Sequence, residues 1–245
     1  MDTQEANFTP TKRFFVDMLT RDIGLEDAIL DLLDNCLDGV ARSVGKNPDD
    51  IDYTGYKAEI IFNGKSFQIS DNCGGIPTDS IGYAFRMGKP KDIPSEELAT
   101  VGVYGIGMKR SIFKIGNHCT IETQSMGKDR FQLTIDEDWL NSDTEWKIPI
   151  QHEAALGDDG TTISISKLEP QISKQFKHHP FATELINKIV FSYSYIISKG
   201  FSVKVNDVEI KPNPIKIRFE DRLDSQGNAI PVSYTHLTLP TIYSV

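Results

Sequence analysis

The chain has 245 residues, 39% of them hydrophobic and 25% charged, with a net charge of −9. No apolar run approaches the roughly 18 residues that span a bilayer. The opening MDTQEANFTPTKRFF lacks the basic-then-apolar order of a secretory signal, and the acidic balance weighs against a general nucleic-acid coat. Three cysteines, Cys36, Cys73 and Cys119, stand far apart with no CxxC pair, which excludes a disulfide framework and a zinc site and predicts a reducing, cytoplasmic setting.

In chain order, Phe14, Phe15, Met18 and Leu19 have helical spacing within Thr11–Thr20. A second helix is predicted over Gly24–Val44, with Leu25, Ile29, Leu32, Leu33, Cys36, Leu37 and Val40 on one arc. Next, AEIIFNGKSFQIS reads as two strands joined at Asn63-Gly64, the second strand ending at Ser70. A loop-rich stretch runs from Ile76 to Val101. GVYGIGMKRSIFKIG then reads as a glycine loop opening a helix. Strands are predicted at about His118–Ser125, Arg130–Ile135, Glu145–Ile150 and Thr161–Lys167, a helix at Phe181–Ser198, and a strand and turn in FSVKVNDVEI. Long helices early and hairpin-joined strands later predict an α+β protein, helices on one face of a mixed, mostly antiparallel sheet.

Four segments carry candidate chemistry. On the second helix Asp27, Asp31, Asp34, Asn35 and Asp38 fall within an arc of about 100°, opposite the apolar one. Such oxygen ligands suit a divalent cation, which would relieve the mutual repulsion; a solvated outer face is the alternative. Asp71 stands where a strand runs into Asn72-Cys73-Gly74-Gly75. A carboxylate there can accept from an exocyclic amine such as that of adenine, or merely initiate a turn. In Gly102-Val103-Tyr104-Gly105-Ile106-Gly107-Met108-Lys109, glycines let backbone amides converge on an anion, a helix N-terminus follows, and Lys109 adds a point charge. It is neither a Walker loop nor the dinucleotide fingerprint, and a plain mobile loop is the alternative. Gly160-Thr161 opens a strand and brings a hydroxyl able to bond a base or a water.

These four elements, in this order, resemble the ATP-site motifs of the GHKL family, which includes MutL, type II topoisomerases, histidine kinases, MORC proteins and the ninety-kilodalton heat-shock chaperone. DLLDNCLDG resembles the family's E-L-x-x-N-x-x-D-A box, ISDNCGGIP its D-x-G-x-G box, GVYGIGMK the MORC-type loop and GTTISI the MutL strand. The resemblance covers about residues 10–170 and implies a two-layer α/β sandwich, the Bergerat fold. It implies ATP and magnesium as cofactors and slow hydrolysis. Asn35 becomes the magnesium ligand, and Asp38 joins the base-side network. Asp71 becomes the adenine reader, with Gly75 and Ile76 packing beside the nucleotide. Gly102, Gly105, Gly107, Met108 and Lys109 face the phosphates, and Thr161 supports the adenine end. Two departures stand out: Asp31 replaces the catalytic Glu, one methylene shorter, and Cys73 replaces the first glycine of its box.

The implied activity is an ATP-dependent switch in which a lid from Gly88 to Gly107 closes and the chain pairs with a second copy. The client is DNA or protein, with no membrane partner. Alternatives are a nucleotide-binding module without turnover and a histidine-kinase-type domain. The expected organisation is an ATP-binding domain over 1–175, the start of a transducer-like domain over 176–231, and a non-native tail over 232–245. The tail's VSYTHLTLPT resembles a translated sequencing adapter.

Overall fold

The computed structural model describes residues 6, 8–86, 106–128, 130–155 and 157–213. The expected tail lies outside them, as do residues 214–231. Helix α1 (Lys12–Thr20) starts where the Thr11 hydroxyl accepts from the Phe14 N–H. Helix α2 (Leu25–Val44) has Glu26 and Asp27 in its first turn, where carboxylates suit the helix dipole. It stops at Gly45, whose left-handed conformation sends its N–H back to the Ala41 carbonyl. Strands β1 (Lys57–Phe62) and β2 (Ser66–Asp71) follow as an antiparallel hairpin. The expected Asn63-Gly64 turn is centred one residue later, on Gly64-Lys65. Asn63 directly follows β1, its N–H donating to the Ser66 carbonyl, while its Oδ1 accepts from the Lys65 N–H at 2.8 Å.

A short helix α3 (Ile81–Ala84) and the helix α4 (Gly107–Ile115) come next among the described elements. Then follow β3 (Gly116–Gln124), β4 (Arg130–Ile135), α5 (Glu137–Asn141), β5 (Ile150–Glu153) and β6 (Gly160–Leu168). The expected strand at Glu145–Ile150 is thus corrected to Ile150–Glu153. Pro149 has no N–H for a ladder, and the Glu145 carbonyl is taken by the buried Lys12 ammonium, which also lies 3.8 Å from the Trp139 ring centre. The chain ends its described course in α6 (Pro170–Lys177), α7 (His179–Ser198), β7 (Ser202–Val205) and β8 (Val208–Glu209).

The eight strands form one sheet in the order β5-β4-β3-β6-β2-β1-β7-β8. All pairings are antiparallel except β1 with β7, where Ile60 lies beside Val205. One sheet face is apolar: Ala58, Ile60, Phe67, Ile69, Ile121, Leu133, Ile163 and Val203 alternate with polar neighbours and are buried under the helices. The protein is therefore α+β, with helices on one face of a mixed sheet. α7 contributes Phe181, Leu185, Ile189, Tyr193 and Ile197, spaced four residues apart, to the same core. The expected boundary at residue 175 falls inside α6, and the described residues up to Asn213 form one compact unit. Among the described residues no helix is long and apolar enough to cross a membrane.

Candidate functional site

The acidic arc of α2 is neither a solvated stripe nor one platform for a cation, because two helices pack against it and divide it. On the α7 side, Asp27 Oδ1 lies 2.5 Å from Lys188 Nζ, and Asp34 Oδ1 accepts from the Tyr193 hydroxyl at 2.5 Å. Burial pushes the Asp34 carboxyl up to about 6; the Tyr193 bond opposes this, and the charges of Asp31 and Asp38 add to it. On the α4 side, Asp31 Oδ2 accepts from Arg110 Nε at 2.7 Å, with Ser111 Oγ at 3.5 Å. Asp38 is buried. Asn35 donates through Nδ2 to the Asp31 carbonyl at 2.6 Å, which leaves Oδ1 as the other end of the amide. Among the described residues no three His, Cys, Asp or Glu side chains gather as a metal cluster.

Asp71 ends β2 with its carboxylate held from three sides. Oδ1 accepts from the Cys73 N–H at 2.7 Å, Oδ2 faces Cys36 Sγ at 3.5 Å, and the Thr161 N–H donates to the same group. Burial raises its pKa, opposed by these donors and by the nearby Arg42 guanidinium. Thr161 therefore meets Asp71 through its backbone, while its hydroxyl lies 3.0 Å from that of the buried Thr123. The Ile76 N–H donates to the same Thr123 hydroxyl at 2.8 Å. Thr123, Cys36 and Arg42, which donates to the Gly75 carbonyl at 3.3 Å, were not marked by any motif. Only their placement across neighbouring strands and α2 reveals them.

Two close approaches explain the glycines here. Gly75 has φ +63°, and a Cβ on it would sit 1.9 Å from the Gln124 carbonyl oxygen, so the end of β3 requires a glycine whether or not a nucleotide lies alongside. Cys73 is not left-handed; the positive φ values fall on Gly74 and Gly75, which is why a side chain is tolerated where the family's box has its first glycine. Its carbonyl would lie 2.5 Å from a Cβ on Gly39. Gly39 occupies the alanine position of the E-L-x-x-N-x-x-D-A box. A glycine there leaves room for the loop backbone at Cys73.

Of the expected glycine-loop residues, Gly102 and Gly105 lie outside the described residues. Gly107 opens α4, and its Cβ position is 3.6 Å from Asp31 Oδ2, bringing the start of α4 against the candidate base. Met108 is half-buried against the core. Lys109 is buried, and that burial brings its ammonium down to about 8. Two ends thus lie along one helix: Asp71 by Cys36, and the start of α4 by Asp31.

The profile of the family described as histidine kinase-, DNA gyrase B-, and HSP90-like ATPase matches residues 23–173. A search of curated proteins returns no match. The matched stretch begins just before α2, ends in α6 and contains all four motif segments, well over half of the chain. With that match lying over a one-sided mixed sheet and its acidic helix, the chain belongs to the histidine kinase-, DNA gyrase B- and heat-shock-chaperone-like ATPases.

Proposed function

We propose that this protein binds ATP with magnesium and hydrolyses it slowly as the driver of a conformational switch. One observation carries the reading: α2 holds Asp71 through Cys36 and meets the start of α4 through Asp31, five residues or about 7.5 Å of helix away. A base reader and a helix N-terminus with a carboxylate beside it are therefore both in contact with the same stretch of α2. Asp71 would accept from the adenine amine, and Thr161 supports it through its N–H. The helix start at Gly107, with Lys109 beside it, suits phosphate. Asn35 Oδ1 offers one hard oxygen to a magnesium ion carried mainly by phosphate oxygens, as this ion prefers. Bound there, the metal would neutralise phosphate charge. Asp31 would orient a water for attack on the terminal phosphoryl group, the part a general base plays. Closure of the segment 88–107 over the nucleotide and pairing with a second copy follow from the family resemblance; the client, DNA or protein, is left open by it.

A second reading has its own observation. The Arg110 guanidinium donates to Asp31 Oδ2, occupying one oxygen of the candidate base. If that pair persists in the nucleotide complex, the domain binds ATP without turnover. Calorimetry with ATP and magnesium, together with phosphate release, separates the two. Binding with slow release supports the switch, binding without release supports the second reading, and no binding refutes both. Asp71→Ala should weaken ATP binding by about ten- to a hundredfold, since a lost hydrogen bond to a charged group costs about 1.5–3 kcal/mol. Unchanged affinity in a folded Asp71→Ala protein removes Asp71 from the site.

A further inference from the structure

The two oxygens of Asp71 are held by different kinds of donor. Oδ1 is fixed by the Cys73 amide at 2.7 Å, a contact within the same loop. Oδ2 faces the thiol of Cys36, which comes from α2. Cys36 is buried, and its thiol supplies one S–H donor. Sγ lies 3.4 Å from the Leu32 carbonyl and 3.5 Å from Asp71 Oδ2. One S–H proton serves one acceptor at a time. The Leu32 carbonyl is neutral and sits inside the helical ladder, whereas an ionised carboxylate is the stronger acceptor, so the proton goes to Asp71.

We propose that Cys36 is a positioning residue for base selectivity: by donating to Oδ2 it sets the plane of the Asp71 carboxylate that meets the base. In that orientation the carboxylate accepts from an exocyclic amine, as adenine offers, and faces a 6-oxo group, as guanine offers, lone pair to lone pair. The proposal rests on Asp71 being the base reader. It differs from a packing role in kind. A buried cysteine that only fills space behaves as a small hydrophobe, and its loss would weaken every nucleotide alike. A cysteine that aims Asp71 changes the ratio between bases.

The test is displacement of a fluorescent ATP from the full chain, in magnesium, by unlabelled ATP and by GTP. It compares the parent, Cys36→Ala and Cys36→Ser, each checked for folding by thermal denaturation. The parent should prefer ATP. Cys36→Ala should lose about three- to tenfold in ATP affinity, the size of one weak hydrogen bond, with GTP unchanged, so that the preference narrows. Cys36→Ser, which keeps a donor, should hold the parental preference within about twofold. An unchanged ATP-to-GTP ratio in Cys36→Ala overturns the proposal, and so does an equal loss for both nucleotides. Failure of a folded Cys36→Ser protein to keep the preference also overturns it. A parent that binds no ATP overturns the reading of the site and this proposal with it, whereas a parent that binds ATP and shows an unmoved ratio overturns the proposal alone.

Discussion

Replacing Asp31 by Asn tests the chemistry most directly, because it keeps size and removes basicity. The structure bounds the side effects. The Arg110–Asp31 pair has side chains 35% and 21% exposed, so losing its charge costs about 1 kcal/mol of stability or less. For a unit of this size that is a fall of roughly 2–4 °C in melting temperature. A positioned general base contributes on the order of 10²–10⁴ in rate, and even the lower figure is about 2.7 kcal/mol of barrier. The kinetic effect therefore exceeds the structural one, and a fall in turnover cannot come from unfolding. Affinity for ATP should be equal or slightly tighter, since a negative charge leaves the neighbourhood of the phosphates. Asp31→Glu, with the family's usual reach, should turn over as fast as the parent or faster. The assay is steady-state phosphate release at saturating ATP and magnesium, beside calorimetry for affinity. Equal rates above background in parent and Asp31→Asn would refute the assignment.

Asn35→Ala should abolish the magnesium dependence of ATP binding, measured by calorimetry with and without chelator; an equal effect of chelation in variant and parent removes Asn35 as the ligand. Asp34→Asn should stabilise the protein in a pH-dependent way. Its carboxyl titrates at about 6 when folded against a usual 3.8, so the stability of the neutral form is complete below about 3.8 and is lost as pH rises through about 6. The gap is worth about 3 kcal/mol at most. The melting-temperature advantage of Asp34→Asn should grow from pH 4 to 7 and then level, and a constant difference would contradict the burial argument. Gly39→Ala should cost about 1–3 kcal/mol in chemical denaturation, because its Cβ meets a backbone carbonyl that cannot swing away. Adding Cys73→Gly, which removes the side chain but leaves that carbonyl in place, should recover little of the loss, and full recovery would show that the clash lies with the side chain instead.

The sequence announces what is periodic or locally patterned. α1, α2 and α7 follow from helical spacing, β3, β4 and β6 from alternation, and the site from four segments in order. The contacts that decide chemistry are of another kind. Arg110 meets Asp31 across 79 residues, Tyr193 meets Asp34 across 159, and Cys36 meets Asp71 across 35. No local pattern encodes such pairs. The acidic arc shows the limit well: helical geometry puts Asp27, Asp31, Asp34 and Asp38 on one side of α2, but only packing shows that α4 and α7 share that side between them. β5 lies later than the local pattern predicts for a related reason, since the demand of Lys12 for the Glu145 carbonyl comes from 133 residues away.

The β1–β7 pairing bears on how this domain is best handled in the laboratory. The family match stops at residue 173, an inviting place to cut. A chain ending there would lose β7 and leave β1, with its KAEIIF sequence, as a bare outer strand carrying a row of unpaired amides and carbonyls. It would also strip Phe176 and Phe181 from the ring cluster on Phe62. An open apolar edge of this type is a template for intermolecular strand addition. A truncation at 173 should come out of cells as aggregate, and one at 213 should stay in solution, with the same four motifs in both.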